Sequence, residues 1–584
     1  MATWAPPRPA SRAADAGPTV SLPVEASAPL ARRLWDAAPL AVSLLLASSV
    51  VWGPFLAPWV FAIGIVAFFG YWLIRSYGVA VACYIGLRRI RRWERTRWQA
   101  KYRAWAASHD AANPWDWPRH LVIIPNYKEH EAGLRRTLDS LAAQRNAAQL
   151  VVVLAMEDRE PGAHDKAARL VASYRTGFAA MFATFHPFGI PGEVPGKGSN
   201  EAWAAREAYA RLIQQAGDDL ARFTITSCDA DARFHPRHFE ALNYLFLTAP
   251  DPYRTFWQPA IFNSNNIWDI PAILRIPDGL SGINRLSNLI LPGSVRFPTS
   301  CYSLSWQMLR DVDHWDEEVI PEDWHLYLKC AYTLGDRVRC DGLFLPLGND
   351  CVLTDGWWKT LRAHYAQSVR HAWGASDIPY AWRGAFNRQS PLSLGRKLLL
   401  AGAVSKVHVL WVAQWYLVTM GAHLPVFLAN HFGADMPSWW LAREVRLPGP
   451  NWKLSQIADG HVAGSVEPWI WLSISSLLIY FCLFPLLALI VFEYRQRGPR
   501  PASVPRLHAA LGFLVWPAMA VITFAFASLP ALHAQVRLAF GRGLVYRVAE
   551  KGRREVALPA HSPAPAYVYT DTLPEPIGAP GGGQ

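Results

Sequence analysis

The stretch Phe223-Thr-Ile-Thr-Ser-Cys-Asp229-Ala-Asp231 runs from an apolar, strand-like segment into two carboxylates. The alternating β-branched and small residues at 223–228 favour a buried strand. In an α/β sheet, ligands bind beyond the carboxyl ends of the strands. Asp229 and Asp231 could jointly hold a hard divalent cation that keeps its other positions for water and phosphate oxygens. The pattern indicates a metal and diphosphate site, although such a pair is also typical of a solvated turn.

Two further apolar runs of strand length lie upstream, at residues 120–124 and 150–154. Each is followed by polar residues and then by a helical pattern. Strands that alternate with helices imply a parallel sheet. The sequence therefore predicts an α/β domain over residues 115–391, a region without an apolar run long enough to cross a membrane.

The composition indicates that lipid covers part of the chain. Of 584 residues 52% are hydrophobic, 28 are Trp and only 17% are charged, which is unusual for a soluble enzyme. The net charge of +12 could suggest nucleic acid, but Lys and Arg cluster beside apolar runs, as at residues 88–92 and 495–500. That placement fits membrane flanks, so no nucleic-acid partner is expected. The seven Cys show no Cys-x-x-Cys spacing and are expected to be reduced thiols.

The apolar and basic runs divide the chain into seven predicted parts. They are a disordered tail (1–35), a transmembrane hairpin (36–87), a cytosolic linker helix (88–114), the α/β domain (115–391), an interfacial amphipathic helix (392–406), about three transmembrane helices (407–530) and a basic tail (531–584). Met1 is not followed by a basic region and a short apolar core, so no signal peptide is expected.

The positive-inside rule places the α/β domain in the cytosol and the loop at residues 431–466 outside. Arg75 is expected near the interface, where its side chain can snorkel. Five crossings would put the C-terminal tail outside, yet its basic residues between Arg537 and Arg554 favour the inside. A re-entrant last segment would remove this conflict, and the sequence leaves both alternatives open.

Polar motifs follow the first two predicted strands and open the next helix. Pro125-Asn-Tyr127-Lys-Glu129 and Met156-Glu157-Asp158 could bind a nucleoside, and Gly196-Lys197-Gly198 could bind a phosphate. Ordinary strand-to-helix turns and favourable helix-terminal charges explain the same residues. The Gly-Lys motif lacks the full P-loop spacing.

Two motifs follow later in the domain. Glu322 and Asp323 come directly before a helix predicted from Trp324 to Leu334. If they line a cleft, one acid can raise the pKa of the other toward that of a general base. Gln367, Arg370 and Trp373 come from a Gln-x-x-Arg-His-x-Trp segment, in which the Arg could clamp a diphosphate and the Trp could stack on a sugar. A dipole-complementing acid pair and a polar helix face are the alternatives.

In this order, the motifs resemble the membrane-embedded family-2 glycosyltransferases, the group of cellulose, chitin and hyaluronan synthases. The resemblance implies a nucleotide-diphospho-sugar transferase fold, a Rossmann-like mixed sheet, inserted between transmembrane helices. It also implies a uridine nucleotide-sugar donor, Mg²⁺ or Mn²⁺ as cofactor, and inversion at the anomeric carbon.

By position, the resemblance assigns a role to each motif residue. Asp231 would bind the metal and Asp229 the metal or the ribose. The donor would be held by Pro125, Tyr127, Glu129, Glu157 or Asp158, Lys197, Gln367 and Arg370. Asp323 would be the base, with Glu322 beside it, and Trp373 would contact the acceptor.

The chain departs from the family pattern at two places. Glu157 precedes Asp158 at the second strand end, so the residue that reads the base stays open. His371 stands where the family has Trp, which puts long-chain polymerisation in doubt.

The predicted protein is a multi-pass inner-membrane enzyme with a cytosolic catalytic domain and a glycan or lipid-linked acceptor. Membrane lipids and export or synthase-complex subunits are further expected partners. The alternatives are single addition to a polyprenyl phosphate or glycolipid, and an inactive binding subunit of a synthase complex.

Overall fold

The computed structural model describes residues 29–544, apart from residues 57, 110–111, 422–423, 425–467, 499 and 503. The predicted outside loop at residues 431–466 lies outside the described residues, as do most of the two predicted tails. The first helix begins at Pro29, within the predicted N-terminal tail.

The bounds of the elements are as follows. The helices are α1 Pro29–Leu56, α2 Pro58–Glu94, α3 Trp98–Ala106, α4 Glu131–Ala142, α5 Ala163–Tyr174, α6 Lys197–Tyr209, α7 His238–Thr248, α8 Ala272–Asn288, α9 Trp306–Asp311, α10 Glu322–Leu334, α11 Trp357–Ala372, α12 Asp377–Phe386, α13 Leu394–Met420, α14 Pro468–Gln496, α15 Arg506–Leu511, α16 Met519–Thr523 and α17 Leu529–Ala539. The strands are β1 Arg119–Asn126, β2 Leu150–Glu157, β3 Ala180–His186, β4 Phe223–Ser227, β5 Arg233–Phe234, β6 Thr255–Asn263, β7 Tyr302–Ser305 and β8 Arg339–Asn349.

The strands form one mixed sheet in the order β3-β2-β1-β4-β7-β6-β8-β5. The first half, β3 to β4, is parallel, whereas β7 runs antiparallel to both β4 and β6. Every residue of β2 is buried, as expected for a parallel strand with helices on both faces. The predicted α/β fold with a mixed sheet is therefore confirmed.

Hydrophobic cores cover both faces of the sheet. Leu121 and Ile123 of β1 point to one face, which packs against α6, α9, α10 and α12. Val122 and Ile124 point to the other face, which packs against α4, α5 and α7. Side chains alternate along a strand, so β1 contributes to both cores. Because β1 to β4 run parallel, the polar residues that follow them lie at one edge of the sheet.

Five helical segments among the described residues are long and apolar enough to cross a membrane: 32–53, 63–94, 394–420, 477–496 and 512–539. The third belongs to α13, which also contains most of the predicted interfacial helix. Leu400, Ala401 and Val404 of α13 are buried in the core of the sheet domain. The structure thus does not separate an interfacial helix from the following apolar segment.

Arg75 lies on α2 at a contact with the sheet domain. Its Nη2 donates a hydrogen bond to Asn288 Oδ1 of α8 at 2.9 Å. Gly86, farther along α2, packs so closely against Leu286 that an added Cβ would lie 2.8 Å from that side chain. The predicted interfacial Arg is therefore bonded to the domain that follows.

The last apolar segment is broken rather than straight. A 3₁₀ helix at Gly512–Ala518 and a π-helix at Phe524–Ser528 interrupt it. Ala509, just before it, clusters with Leu361 of α11, and Leu538 near its end packs against the core of the sheet domain. Both ends of the segment therefore lie against the same domain.

Candidate active site

The predicted acid pair lies directly beyond the end of β4. Asp229 Oδ1 is 2.9 Å from Lys197 Nζ, and Asp229 Oδ2 accepts hydrogen bonds from Ser300 Oγ and from Asn349 Nδ2. Asp231 is only 7% exposed, and its Oδ2 accepts a hydrogen bond of 2.7 Å from the backbone N–H of Asp350. The two carboxylates are thus fixed by a cation and by neutral donors.

An open cleft of about 890 Å³ extends from these acids across the ends of the parallel strands. Among the sequence candidates, the lining residues are Pro125, Tyr127, Glu129, Glu157, Lys197, Asp229, Asp231, Gln367 and Arg370. Asp158, Glu322, Asp323 and Trp373 are not among the lining residues. The structure therefore gathers residues that are distant in sequence around one polar opening.

Lys197, the first residue of α6, lies at the centre of the acidic residues. Its Nζ is 2.9 Å from Asp229 and 3.1 Å from Glu322 Oε1, and it donates to the carbonyl of Ser300. Burial lowers the pKa of Lys197, but the nearby carboxylates outweigh burial and hold it well above its usual value. The ammonium is therefore a permanent cation on the cleft wall.

Glu201 is a buried acid that the sequence did not single out. It is 0% exposed and accepts a hydrogen bond of 2.6 Å from Ser227 Oγ. Burial raises the pKa of Glu201 to about 8, although Lys197 opposes this shift. A neutral Glu201 at pH 7 leaves the charge of Lys197 directed to Asp229, Glu322 and any bound anion.

Asp323 lies one contact behind the cleft wall, in the first turn of α10. Its Oδ2 accepts from the backbone N–H of Ser300 at 3.1 Å, and its Oδ1 from that of Trp324 at 2.8 Å. Burial, and then the charge of Glu322, raise the pKa of Asp323 to about 7. A carboxylate with that pKa can accept a proton near neutral pH.

Ser300 connects these groups. Its N–H donates to Asp323, its carbonyl accepts from Lys197, and its hydroxyl donates to Asp229. The residue has φ 61°, in the left-handed region that non-glycine residues rarely adopt. The strained backbone lets one residue contact all three charged groups.

Gly198 explains how α6 and α10 come so close. A Cβ at this position would lie 3.1 Å from Glu322 Cβ and 3.5 Å from the carbonyl oxygen of Asp316. The Gly-Lys-Gly motif therefore serves close packing between the cation and the acid pair, in addition to forming a helix N-terminus.

Where β2 ends, Glu157 and Asp158 differ. The side chain of Glu157 is 4% exposed, 3.0 Å from Arg159 Nε and 3.2 Å from His186 Nδ1. Asp158 is 53% exposed, bonds to His164 and does not line the cleft. Of the two alternatives left open by the sequence, the structure places Glu157 in the cleft.

Arg159 is a cleft residue that motif reasoning missed. Its guanidinium lies over the ring of Tyr127, with Cζ 4.2 Å from the ring centroid, and 5.3 Å from that of Phe188. The only sequence signal was its position two residues after Glu157. Arg285 of α8 was missed in the same way; it lines the cleft and donates to Asn263 Oδ1 at 2.9 Å.

Comparison with known proteins identifies the domain. Residues 224–442 match the model of the glycosyl transferase family group 2, a match that includes Asp229, Asp231, Asp323 and Arg370. This part of the chain is a family-2 glycosyltransferase domain. Its reaction class is the transfer of a sugar from a nucleotide-sugar donor.

Among solved structures, the glycosyltransferase resembles a mannosyltransferase from Pyrobaculum calidifontis in complex with GDP-Man and Mn²⁺. The identity is 15% and the TM-score 0.37, over 72% of this chain and 99% of that one. A likeness of this degree says nothing about the donor or metal of this enzyme. No curated protein matches the chain.

Only part of the last motif of the glycosyltransferase lines the cleft. Gln367 and Arg370 of α11 line it, and His371 is exposed. Trp373 instead packs with Val412 of α13 and Ala531 of α17. The aromatic residue predicted to bind the acceptor therefore lies against the apolar helices.

The chemistry of the donor set tests whether a divalent cation fits. In the part of the chain that the structure describes, no three His, Cys, Asp or Glu side chains form a metal cluster. Mg²⁺ and similar ions, however, often take one or two protein carboxylates and complete their shell with water and phosphate oxygens. Asp229 and Asp231 line the same cleft, and their side chains provide carboxylate oxygens as ligands, so they fit that requirement.

Proposed function

We propose that the enzyme is an inverting membrane glycosyltransferase that moves a sugar from a uridine-diphosphate donor to a lipid-linked or glycan acceptor. Ser300 provides the observation that carries the proposal, since it bonds to Asp323, Asp229 and Lys197. The acid for the metal or ribose and the cation for the diphosphate therefore line the cleft, and the base lies directly behind its wall, bonded to Ser300. The uridine base follows from the family resemblance.

In the proposed reaction, Asp323 takes the proton from an acceptor hydroxyl. The oxygen attacks the anomeric carbon from the side opposite the diphosphate, the bond to the diphosphate breaks, and the configuration inverts. Lys197 and Arg370 neutralise the charge that develops on the leaving group. Tyr127 and Glu157 would hold the nucleoside, as predicted from the sequence.

Asp231 and Asp229 would hold Mg²⁺ or Mn²⁺. A bound cation would supply positive charge to the leaving diphosphate. Two protein cations would act beside the metal ion. Lys197 has its ammonium 2.9 Å from Asp229, and Arg370 of α11 lines the same cleft.

Single addition is favoured over polymerisation by the last motif. In the processive synthases that the sequence resembles, a Trp directly after the Arg of this motif is part of the acceptor platform. In this chain the residue after Arg370 is the exposed His371. Trp373 cannot replace it from its site among Val369, Val412 and Ala531. We therefore propose a glycolipid acceptor, whose sugar hydroxyl gives its proton to Asp323 and receives one sugar.

We further propose that the catalytic domain and the C-terminal tail are both cytosolic. Ala509, just before the last apolar segment, and Leu538, near its end, contact the same domain, which fits a re-entrant segment. The basic residues after Arg537 then lie inside, as the positive-inside rule requires. This arrangement removes the conflict that five full crossings would create.

The decisive experiment supplies the purified enzyme, in phospholipid vesicles with a monoglycosyl diacylglycerol as acceptor and Mn²⁺, with a panel of UDP-sugars. Product mass spectrometry should show one sugar added to the lipid. A ladder of products would instead indicate polymerisation. If neither transfer nor donor hydrolysis occurs with any UDP-sugar, the proposed activity is wrong and the inactive binding subunit is favoured.

The pH dependence of the reaction should report Asp323. Burial and Glu322 raise its pKa to about 7, and the base acts only when deprotonated. The transfer rate should therefore fall about tenfold per pH unit below pH about 7 and level off above it. Initial rates at saturating donor would check this. A rate that does not change across this range would contradict the assignment of Asp323 as the base.

A further inference from the structure

A buried ion cluster lies directly behind the base. His325, 6% exposed, has its Nδ1 2.7 Å from Asp377 Oδ1 and its Nε2 3.0 Å from Asp316 Oδ2. Lys329 Nζ is 2.6 Å from the other oxygen of Asp316. We call these four residues the His325 cluster.

The geometry requires a charged imidazole. Both ring nitrogens face carboxylates, so both must donate, and only the imidazolium has two N–H groups. Burial lowers the pKa of His325, but Asp377 and Asp316 outweigh burial and raise it to about 9. The ring of Tyr380 covers the imidazolium, with centroids 4.1 Å apart.

The cluster holds the loop that leads to the base. In this loop Asp313 and His314 have φ 54° and 63°, two consecutive non-glycine residues in the left-handed region. Such residues cost about 1–3 kcal/mol each and persist only where the surroundings fix them. Lys329 donates to both of their carbonyl oxygens, at 3.5 and 3.0 Å, while it pairs with Asp316.

The cluster also joins the base to the segment that carries the last motif. His325 follows Asp323 by two residues on α10, and Asp377 is the first residue of α12. The 3₁₀ helix Trp373–Ser376 immediately precedes Asp377 and continues from α11, which carries Arg370. One ionic bridge therefore links three segments: the strained loop, the helix of the base and the segment that carries the last motif.

We propose that His325 is a positioning residue that fixes Asp323 relative to the Arg370–Trp373 segment. His325 is not among the residues that line the cleft. It acts through Asp323, whose orientation decides whether an acceptor hydroxyl lies within reach of its carboxylate. The inference rests on the proposed function, because it takes Asp323 as the base. Small displacements of a reacting group can cost about 100-fold in rate.

His325→Gln should lower kcat by about 10- to 100-fold and raise the acceptor KM. The affinity for UDP with Mn²⁺, measured by calorimetry, should not change, since Lys197 and Asp229 are untouched. Transfer is measured to a monoglycosyl diacylglycerol in vesicles, with the UDP-sugar that the wild type uses. His109→Gln, at an exposed site near α3, is the matched control and should behave as the wild type.

A double variant separates positioning from general loss of structure. In His325→Gln a buried carboxylate loses its cationic partner, whereas in His325→Gln/Asp377→Asn two neutral amides can hydrogen-bond. The double variant should therefore recover part of kcat. Should His325→Gln fail to fold, Asp377→Asn alone tests the same bridge and should show the same split between kcat and UDP affinity.

Three results would overturn the inference: an unchanged kcat in His325→Gln, or in Asp377→Asn where that variant replaces it; a loss of UDP affinity equal to the loss of kcat; or a double variant worse than His325→Gln. Each leaves the proposed function intact, because the wild type still transfers sugar in the same assay. A wild type without transfer would instead contradict the proposed function itself.

Discussion

Asp323→Asn is expected to lower kcat by about 10²–10⁴-fold, the usual contribution of a general base, and to leave donor binding unchanged. The amide keeps the shape of the side chain and one oxygen that can accept from the N–H of Ser300 or Trp324. It cannot take a proton from an acceptor hydroxyl. Steady-state transfer and UDP binding with Mn²⁺ should be measured on the same preparation.

Two neighbouring acids provide the comparison for Asp323→Asn. Asp313, in the preceding loop, is 73% exposed and adopts a left-handed backbone that Asn tolerates, so Asp313→Asn should retain activity. Glu322→Gln should weaken donor binding as well as turnover, because Glu322 holds Lys197 at 3.1 Å. If Asp323→Asn lost UDP affinity to the extent that it lost kcat, Asp323 would have a structural role instead.

The sequence predicted three of the four strands in the parallel half of the sheet, β1, β2 and β4, because each is an apolar run that can be recognised from local pattern. Residues 150–154 are a run of apolar residues, and the strand found there, Leu150–Glu157, is buried throughout. Polar residues after each strand meet at one edge because the strands are parallel. The places of Asp229, Lys197 and Pro125 in one cleft follow from that geometry.

Residues that act through tertiary contacts could not be predicted in the same way. Ser300 precedes a short strand and belongs to no motif, yet it contacts three charged groups because its φ is positive. Arg285 and Glu201 lie on helices whose pattern indicates only packing. Trp373 could not be placed from spacing either: its distance from Arg370 in the sequence suggested the acceptor site, whereas in the structure a 3₁₀ helix after α11 places it against the apolar helices.

The membrane segments show the limit of counting charges. Hydropathy marked the last apolar segment as one span, whereas in the structure Ala509, just before it, clusters with Leu361, and Leu538, near its end, packs against the domain core. Likewise, the sequence of α13 predicts an amphipathic helix followed by an apolar one. In the structure it is a single helix, and residues of its first turns are buried in the hydrophobic core of the sheet domain. Tertiary burial replaced the interface as the partner of that amphipathic face.

Asp231→Asn is expected to remove most of the metal-dependent part of donor binding. Its Oδ2 accepts from the N–H of Asp350 at 2.7 Å, and the Asn oxygen can keep that bond, so the variant removes charge with little change in shape. Losing a contact with a charged group costs about 1.5–3 kcal/mol, or about 10- to 100-fold in affinity. Calorimetric titration of UDP with Mn²⁺ and with a chelator measures the effect.

The two conditions together decide the role of Asp231. In the wild type, Mn²⁺ should strengthen UDP binding; in Asp231→Asn the affinities with and without Mn²⁺ should become nearly equal. Asp165→Asn, at an exposed site on α5, should keep the wild-type response. The Asp231 assignment would be wrong if Asp231→Asn kept the full Mn²⁺ response. The cation would then depend on Asp229 alone, whose charge already faces Lys197 at 2.9 Å.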